Sequence, residues 1–321
     1  MQIVPVLFLQ DNPSCQRAHF ALEVSMQKLS QMLQSRFGEK VYRLSLSSGC
    51  TCPNRDGTLG WDGCTFCSRG GSGEFAAPPL DLDTQIALAR ERISKKTDAR
   101  RFIAYFQSYT NTYGDPGRLS ALYRDALSRE EIVALSLGTR PDCLGSDMLR
   151  MLRELASIKP VWVELGLQTC HEETARRIRR GYALPVFEQA CRDLSSAGAE
   201  VIVHVIFGLP GETPEQILQT LRYLAGVRPS IQGIKIQMLC VLEGTAMGKA
   251  YLRDPFPLLS LTEYADLVAR GVALLPPDMV LHRMTGDPPR DQLIAPRWVL
   301  DKRRVLNTLE ARFRQSGLRF S

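Results

Sequence analysis

Six short apolar runs, each followed by a stretch with helical periodicity, dominate the middle of this 321-residue sequence. The runs at 41–47, 102–107, 132–137, 161–167, 201–207 and 233–238 read as strands, being rich in β-branched and apolar residues between turn signals. Helices are expected from about Asp83 through Ile93 and at 117–128, 146–157, 172–179, 185–197 and 214–225. Strands joined by helical crossovers must run parallel. The class is therefore α/β, as an open sheet or a partial (β/α)6 barrel. From about 239 the rhythm breaks. Helices at 261–274 and 296–315, a short strand at 279–283 and a Pro-rich GDPPRD loop predict an α-rich extension, 241–321, packed on a core of 26–240. Residues 1–25 show no period and read as a flexible leader or an extension before the natural start at Met26. An amphipathic helix follows with Leu29, Met32, Leu33 and Phe37, stopped by Gly38.

Strand alternation separates two faces. On 161–168 one face is Val161, Val163, Leu165 and Leu167, and the other is Trp162, Glu164, Gly166 and Gln168. His204 lies on one face of the 201–207 strand, and Lys235 with Gln237 on one face of 233–238. Acid, amide, imidazole and ammonium groups on matching faces are costly in a packed core. Pointing into a barrel, they make a polar lumen that can bind a ligand. The bland alternatives are a Glu164–Lys235 structural ion pair, a satisfied core histidine at His204 and a helix-capping Gln168.

Of nine cysteines, Cys50, Cys52, Cys64 and Cys67 crowd the segment SSGCTCPNRDGTLGWDGCTFC, while Cys15, Cys143, Cys170, Cys191 and Cys240 are scattered. An odd number in a chain this long argues against a disulfide framework. Four thiolates including Cys50 would close a structural zinc site. Three would hold a cubane iron–sulfur cluster and leave one iron open. The loop follows the first strand, on the side where parallel α/β enzymes place their chemistry, which favours iron. The scattered cysteines offer little support for an auxiliary cluster.

With this loop, the segments YFQ-Y-TNTY, GTRPDCL, ELGLQ, IFGLPGET and HR-TGD-PRD occur in one order, and the chain resembles the YhcC-like group of the radical SAM (S-adenosylmethionine) superfamily from about Met26 onward. The resemblance implies a partial TIM-type barrel and a [4Fe-4S] cluster on Cys52, Cys64 and Cys67. Here the longer gap between Cys52 and Cys64 replaces the superfamily's usual short spacing, and Cys50 falls outside the ligand pattern. It further implies one-electron cleavage of SAM to methionine and a 5′-deoxyadenosyl radical, with reduced flavodoxin or ferredoxin as donor. For SAM it points to residues 107–112, chiefly Gln107, Tyr109 and Asn111, to Glu164 near the ribose or amino group, and to Gln168 with Arg180, twelve positions apart. The backbone of Phe207 and Gly208 would meet the adenine. Substrate candidates are Arg140, Asp142, His204, Lys235, His282, Arg283 and Asp287, with the 282–291 segment closing one end of the lumen or forming a proline-fixed turn.

The net charge of +6 permits an anionic partner without demanding one. Between Arg297 and Arg319 seven basic residues face two acidic ones, and Arg176, Arg177, Arg179 and Arg180 form a second cluster. A relationship of the YhcC-like group to the elongator catalytic subunit suggests tRNA, gripped through the basic C-terminal helix. No acetyltransferase domain like that of the elongator subunit is recognisable. The alternatives are a small-metabolite substrate, or a zinc-binding nucleic-acid adaptor without catalysis. At 44% hydrophobic and 23% charged residues, with no apolar run near the roughly 20 a membrane helix needs, a cytoplasmic protein is expected.

Overall fold

In the computed structural model, which describes residues 25–71, 76, 78–229 and 231–320, all six expected strands form and a seventh joins them. The leader at 1–24 and Cys15 lie outside the described residues. The strands are β1 (Val41–Leu46), β2 (Arg101–Phe106), β3 (Ile132–Thr139), β4 (Val161–Gln168), β5 (Glu200–Phe207), β6 (Gly233–Met238) and β7 (Val280–Arg283). They are hydrogen-bonded in chain order and all parallel. The short strand expected in the C-terminal extension is β7, so the extension completes the sheet as well as packing on it.

Helices α1 (Leu29–Phe37), α2 (Leu82–Ser94), α3 (Pro116–Ser128), α4 (Ser146–Ala156), α5 (Glu172–Arg177), α6 (Leu184–Ser196), α7 (Pro214–Gly226), α8 (Ala246–Arg253), α9 (Leu261–Val272) and α10 (Lys302–Gln315) complete the chain. Six of them, α2, α3, α7, α8, α9 and α10, start on a side-chain cap. Asp115 accepts from Arg118 N at 2.7 Å with Pro116 behind it, and Asp301 accepts from Arg304 N at 3.0 Å. That second cap starts α10 at Lys302, and Arg297–Leu300 is a separate 3-10 turn.

The outward strand residues (Leu135, Val163, Val203 and Ile236 among them) pack against Leu152, Leu155, Phe187, Leu194 and Leu221 of the helices, all fully buried. Truncating any one to Ala would cost about 2–5 kcal/mol. The inward face shows that the sheet curls. Lys235 Nζ on β6 lies 3.3 Å from Tyr105 OH on β2. In a flat sheet four strand spacings would separate them by about 19 Å. Arg43 on β1 reaches His282 on β7 at 3.2 Å, across the open side of the partial barrel.

Helix α1 closes the bottom. Its Leu33, with Leu29, Met32 and Phe37, packs on Val41, Ile103, Ala134, Trp162 and Ile202, the inward residues nearest the N-terminal ends of the strands. An antiparallel pair, Val241–Leu242 with Leu293–Ala295, brings the 286–289 loop to the opposite end. Among the described residues no helix is long and apolar enough to cross a membrane.

Candidate active site

The lumen holds a cavity of about 250 Å3. Cys52, Cys64 and Cys67 line its mouth, where β1 has just ended. The chain between the cysteines is a tied excursion. Arg55 N donates to Cys52 O at 2.8 Å, Gly63 N to Asn54 O at 2.7 Å and Cys67 N to Cys64 O at 3.0 Å. These bonds fold the long Cys52–Cys64 gap outward, leaving Leu59 and Trp61 53% and 75% exposed while the thiols turn inward. Gly63 has φ +76°, and a Cβ there would meet the Arg55 guanidinium at 2.8 Å. That guanidinium holds Cys67 O at 3.0 Å, so glycine is what lets the arginine tie the loop.

Asn54 Nδ2 donates to Cys64 Sγ at 3.3 Å and to Arg179 O at 2.9 Å. Burial, then neighbouring Cys67, pushes the Cys64 thiol up to about 12. A cation bound there would have to displace its proton. Among the described residues no three Cys, His, Asp or Glu side chains converge tightly enough for a single metal ion. Cys67 and Cys52 stand close enough to act on the Cys64 thiol, so the three share one rim, the donor set that suits a multi-iron cluster. Cys50 has a different setting: its Sγ accepts from Arg118 Nη2 at 3.4 Å and faces Gly114.

Above the strand ends the rim is built from strained backbone. Ser108, Tyr109, Gln168 and Arg179 are all left-handed, with φ of 72°, 57°, 68° and 56°. Non-glycine residues in this region cost about 1–3 kcal/mol each and persist where surroundings over-determine them. Tyr109 is fixed by donation of its OH to Arg69 O and by the Arg55 guanidinium 5.6 Å from its ring centroid. The Gln168 amide folds back so far that a Cβ at Gly166 would lie 2.6 Å from its Nε2. Gln107, Tyr109, Gln168 and Arg180 all line the cavity.

Several of the expected residues also have protein partners of their own. Asn111 is buried and accepts from Ser48 Oγ at 2.6 Å while donating to Gly138 O at 2.7 Å, which fastens the loop. Arg180 gives four hydrogen bonds, to Leu167 O, Thr169 O, Tyr182 O and Glu172 Oε1, so most of its fork supports the rim. Arg140 clasps Asp142 through both carboxylate oxygens (2.9 and 2.6 Å) and stands close enough to influence the Cys64 thiol. The pair thus lies at the cysteine end of the lumen. The Phe207 ring packs outward on Tyr264, and a Cβ at Gly208 would face Leu259.

The floor of the lumen, resting on the apolar plug, is a polar layer. Glu164 accepts from Lys235 Nζ, from Tyr105 OH and Ser136 Oγ at 2.9 Å each, and engages His204 Nε2 at 2.8 Å. The Glu164 and Lys235 side chains are 0% and 2% exposed. Burial alone would raise Glu164, but Lys235, His204 and Arg43 hold it well below the usual carboxylate range. Burial pulls Lys235 down to about 7, with Arg43 and Arg283 adding to the effect and Glu164 opposing it. His204 is lowered by burial and Lys235. Arg283 and Asp287 line the cavity with Pro288 and Pro289, as expected of that loop. His282 sits lower, edge-on to Trp162 with ring centroids 5.6 Å apart.

The chain that builds this thiol rim and lumen matches the Radical SAM superfamily model over residues 47–224 and the Radical SAM C-terminal domain model over 231–315. The chain belongs to the radical SAM superfamily. It is an enzyme, and the cofactors of its family are a [4Fe-4S] cluster and SAM. That sets aside the non-catalytic zinc adaptor. Among its relatives, it is 39% identical to the uncharacterized protein YtqA of Bacillus subtilis, over 90% of this chain and 89% of that one. It is 36% identical to protein YhcC of Escherichia coli, over 86% and 89%. An Elp3 structure from the archaeon Methanocaldococcus infernus, lacking its N-terminal residues 1–46, superposes with a TM-score of 0.64 at 17% identity. It covers 87% of this radical SAM chain, which spans 64% of the archaeal one, and the likeness is one of fold.

Tyr105, Ser136, Arg43, Arg55 and Asn54 were missed from sequence. Tyr105 sits in the apolar run RFIAYF and reads as core. Its inward parity, shared with Ile103, was the available signal.

Proposed function

We propose that this chain holds a [4Fe-4S] cluster through Cys52, Cys64 and Cys67, cleaves SAM to a 5′-deoxyadenosyl radical, and abstracts hydrogen from a tRNA nucleoside. The observation that carries the reading is the thiol rim at the mouth of a polar lumen shut below by α1. When bound, the cluster and SAM supply one-electron cleavage of a carbon–sulfur bond. The chain's own residues bind, orient and exclude water. Gln107, Tyr109 and Gln168 hold SAM over the strand ends, and Arg180 fixes the rim beneath it with one N–H left for a carboxylate. Asn54 donates to a ligand sulfur, the kind of outer-shell contact that tunes a cluster. The apolar plug keeps bulk water from the radical's path.

An electron donor such as reduced flavodoxin or ferredoxin would approach the outer side of the cysteine loop, where Leu59 and Trp61 stand exposed. tRNA would lie along α10, whose Arg303, Arg304 and Arg312 line a shallow groove with Asn307. The resemblance to the elongator subunit supports the same substrate class. A second reading, a small metabolite, is favoured by the modest size of the cavity. The deciding assay is 5′-deoxyadenosine formation by reconstituted enzyme under anaerobic, reducing conditions, with and without total tRNA from a strain lacking the gene. Stimulation by that tRNA supports the proposal. Cleavage unchanged by tRNA favours the metabolite, and no cleavage overturns both.

A further inference from the structure

The polar layer carries more positive charge than it uses. Three permanent or potential cations, Arg43, Lys235 and Arg283, surround a single carboxylate, Glu164. They are close by construction. Lys235 and Arg283 are register partners on neighbouring strands, and the Arg43 guanidinium lies 5.5 Å from the Tyr105 ring centroid. Asp287 redresses the balance only in part, because it is shared between Lys302 Nζ at 2.8 Å and Arg283 at 3.7 Å, while Arg283 Nε donates to Thr285 O at 2.7 Å. Glu164 has four partners already. Arg43 Nε is buried with no hydrogen-bond partner among the described residues. Two cations, half-buried Arg43 and buried Lys235, sharing one carboxylate are costly, and an anion that also engages the partly exposed Arg283 relieves that cost.

We propose that the floor of the lumen is an oxyanion site, so that the molecule presented to the radical is a small acid whose carboxylate or phosphate docks on Lys235 and Arg283. This deepens the reading of the lumen as a radical active site. It holds whether the acid is the only substrate or accompanies a nucleoside. Both cations line the cavity, with His204, Gln237 and Tyr105 beside them to complete a polar pocket. The guanidinium offers a fork matched to two oxygens and the ammonium a point charge. A small acid fits this place better than a polynucleotide backbone phosphate, because the layer lies at the closed end of the cavity above Trp162 and Leu33, whereas the exposed arginines of α10 lie along a separate groove.

The test is calorimetric titration of the reconstituted holoenzyme, saturated with SAM and without reductant, using malonate, inorganic phosphate and the neutral analogue malonamide as probes. At least one oxyanion should saturate and malonamide should not. Malonate binding the tighter assigns a carboxylate, and phosphate the tighter assigns a phosphate. Arg283→Gln and Lys235→Met should each weaken the binding at least tenfold. Malonate, which stays a dianion above pH 7, should bind more tightly as pH falls from 9 to 7, as Lys235 takes up a proton among Glu164, Tyr105, Arg43, Arg283, His204 and His282. Should Lys235→Met fail to fold, Arg283→Gln, whose side chain is 32% exposed, decides alone. Binding of neither oxyanion, equal binding by wild type and Arg283→Gln, or displacement of the anion by SAM overturns the proposal. Because this readout needs no turnover, anion binding without 5′-deoxyadenosine formation would fault the radical reading and leave the site standing.

Discussion

The mouth and the floor of the lumen are made by different means. At the mouth, geometry comes from backbone: glycines with positive φ, four left-handed non-glycine residues and carbonyls tied by arginines. Its thiols are partly accessible, and much of its surface is loop. On the floor, geometry comes from side chains on regular strands, locked by one carboxylate with four partners and almost no exposure. The contrast teaches a division of labour. A loop can adapt to a cluster and a cofactor that arrive after folding, whereas a strand-borne layer is set when the sheet forms and can impose selectivity.

Substitutions at the two ends should therefore fail in different ways. At the mouth, replacing Cys52, Cys64 or Cys67 by Ala should abolish the visible iron–sulfur absorbance and 5′-deoxyadenosine formation while the melting temperature of the cluster-free protein barely moves. Cys50→Ala should retain both signals, and loss of iron in that variant would break the three-thiolate assignment. On the floor, Glu164→Leu leaves Lys235 buried without its counter-charge and should cost about 3–5 kcal/mol in chemical denaturation. A neutral outcome would mean that the layer is wetter than its burial implies. Asn54→Ala, which touches a ligand sulfur without replacing it, should lower activity or iron affinity about 10–100-fold with little loss of stability.

Protonation sharpens the comparison further. A lysine lowered in the folded state binds fewer protons there than in the unfolded chain, so its contribution to stability grows as pH rises from about 7 toward 10.5. The slope for one proton is at most about 1.4 kcal/mol per pH unit. Denaturation of wild type and Lys235→Met at pH 7, 8 and 9 should show this rise in the wild type alone. The smallest effect is expected on the outer surface. Arg303→Ala with Arg304→Ala should weaken tRNA binding modestly and reduce its salt dependence by about one unit per lost phosphate contact, leaving cleavage without tRNA intact.

Legibility from sequence follows the same division. The floor could be read by parity, since Glu164, His204 and Lys235 interrupt strands whose other inward neighbours include Trp162, Ile202 and Ile206. Its bland interpretation, the Glu164–Lys235 pair, is also present, so one layer serves as ion pair and lumen wall together. What parity could not show was Tyr105 and Arg43 arriving from strands several places away, because only curling brings them there. At the mouth the crowding of the cysteines was legible from spacing, which left zinc and iron both open, and the set of three is what the family resemblance implies. The placement of Asn111 and Arg180 was not legible, since whether an amide or guanidinium faces a ligand or a carbonyl depends on the turns that carry it. The membership of β7 escaped because a four-residue strand beyond a change of rhythm gives no signal of its partner.

One thread lies outside both ends. Leu281 N donates to Gln27 O at 2.9 Å, and Ser25–Met26 pairs with Arg319–Phe320. The segment before α1 thus shields the last strand, whose backbone would otherwise offer unpaired donors and acceptors to any passing chain. A version trimmed to the boundaries of the two domain profiles, 47–315, would lose that shield together with the plug helix and β1. Such a fragment should self-associate through the bared strand and precipitate, although every cysteine of the rim would still be present.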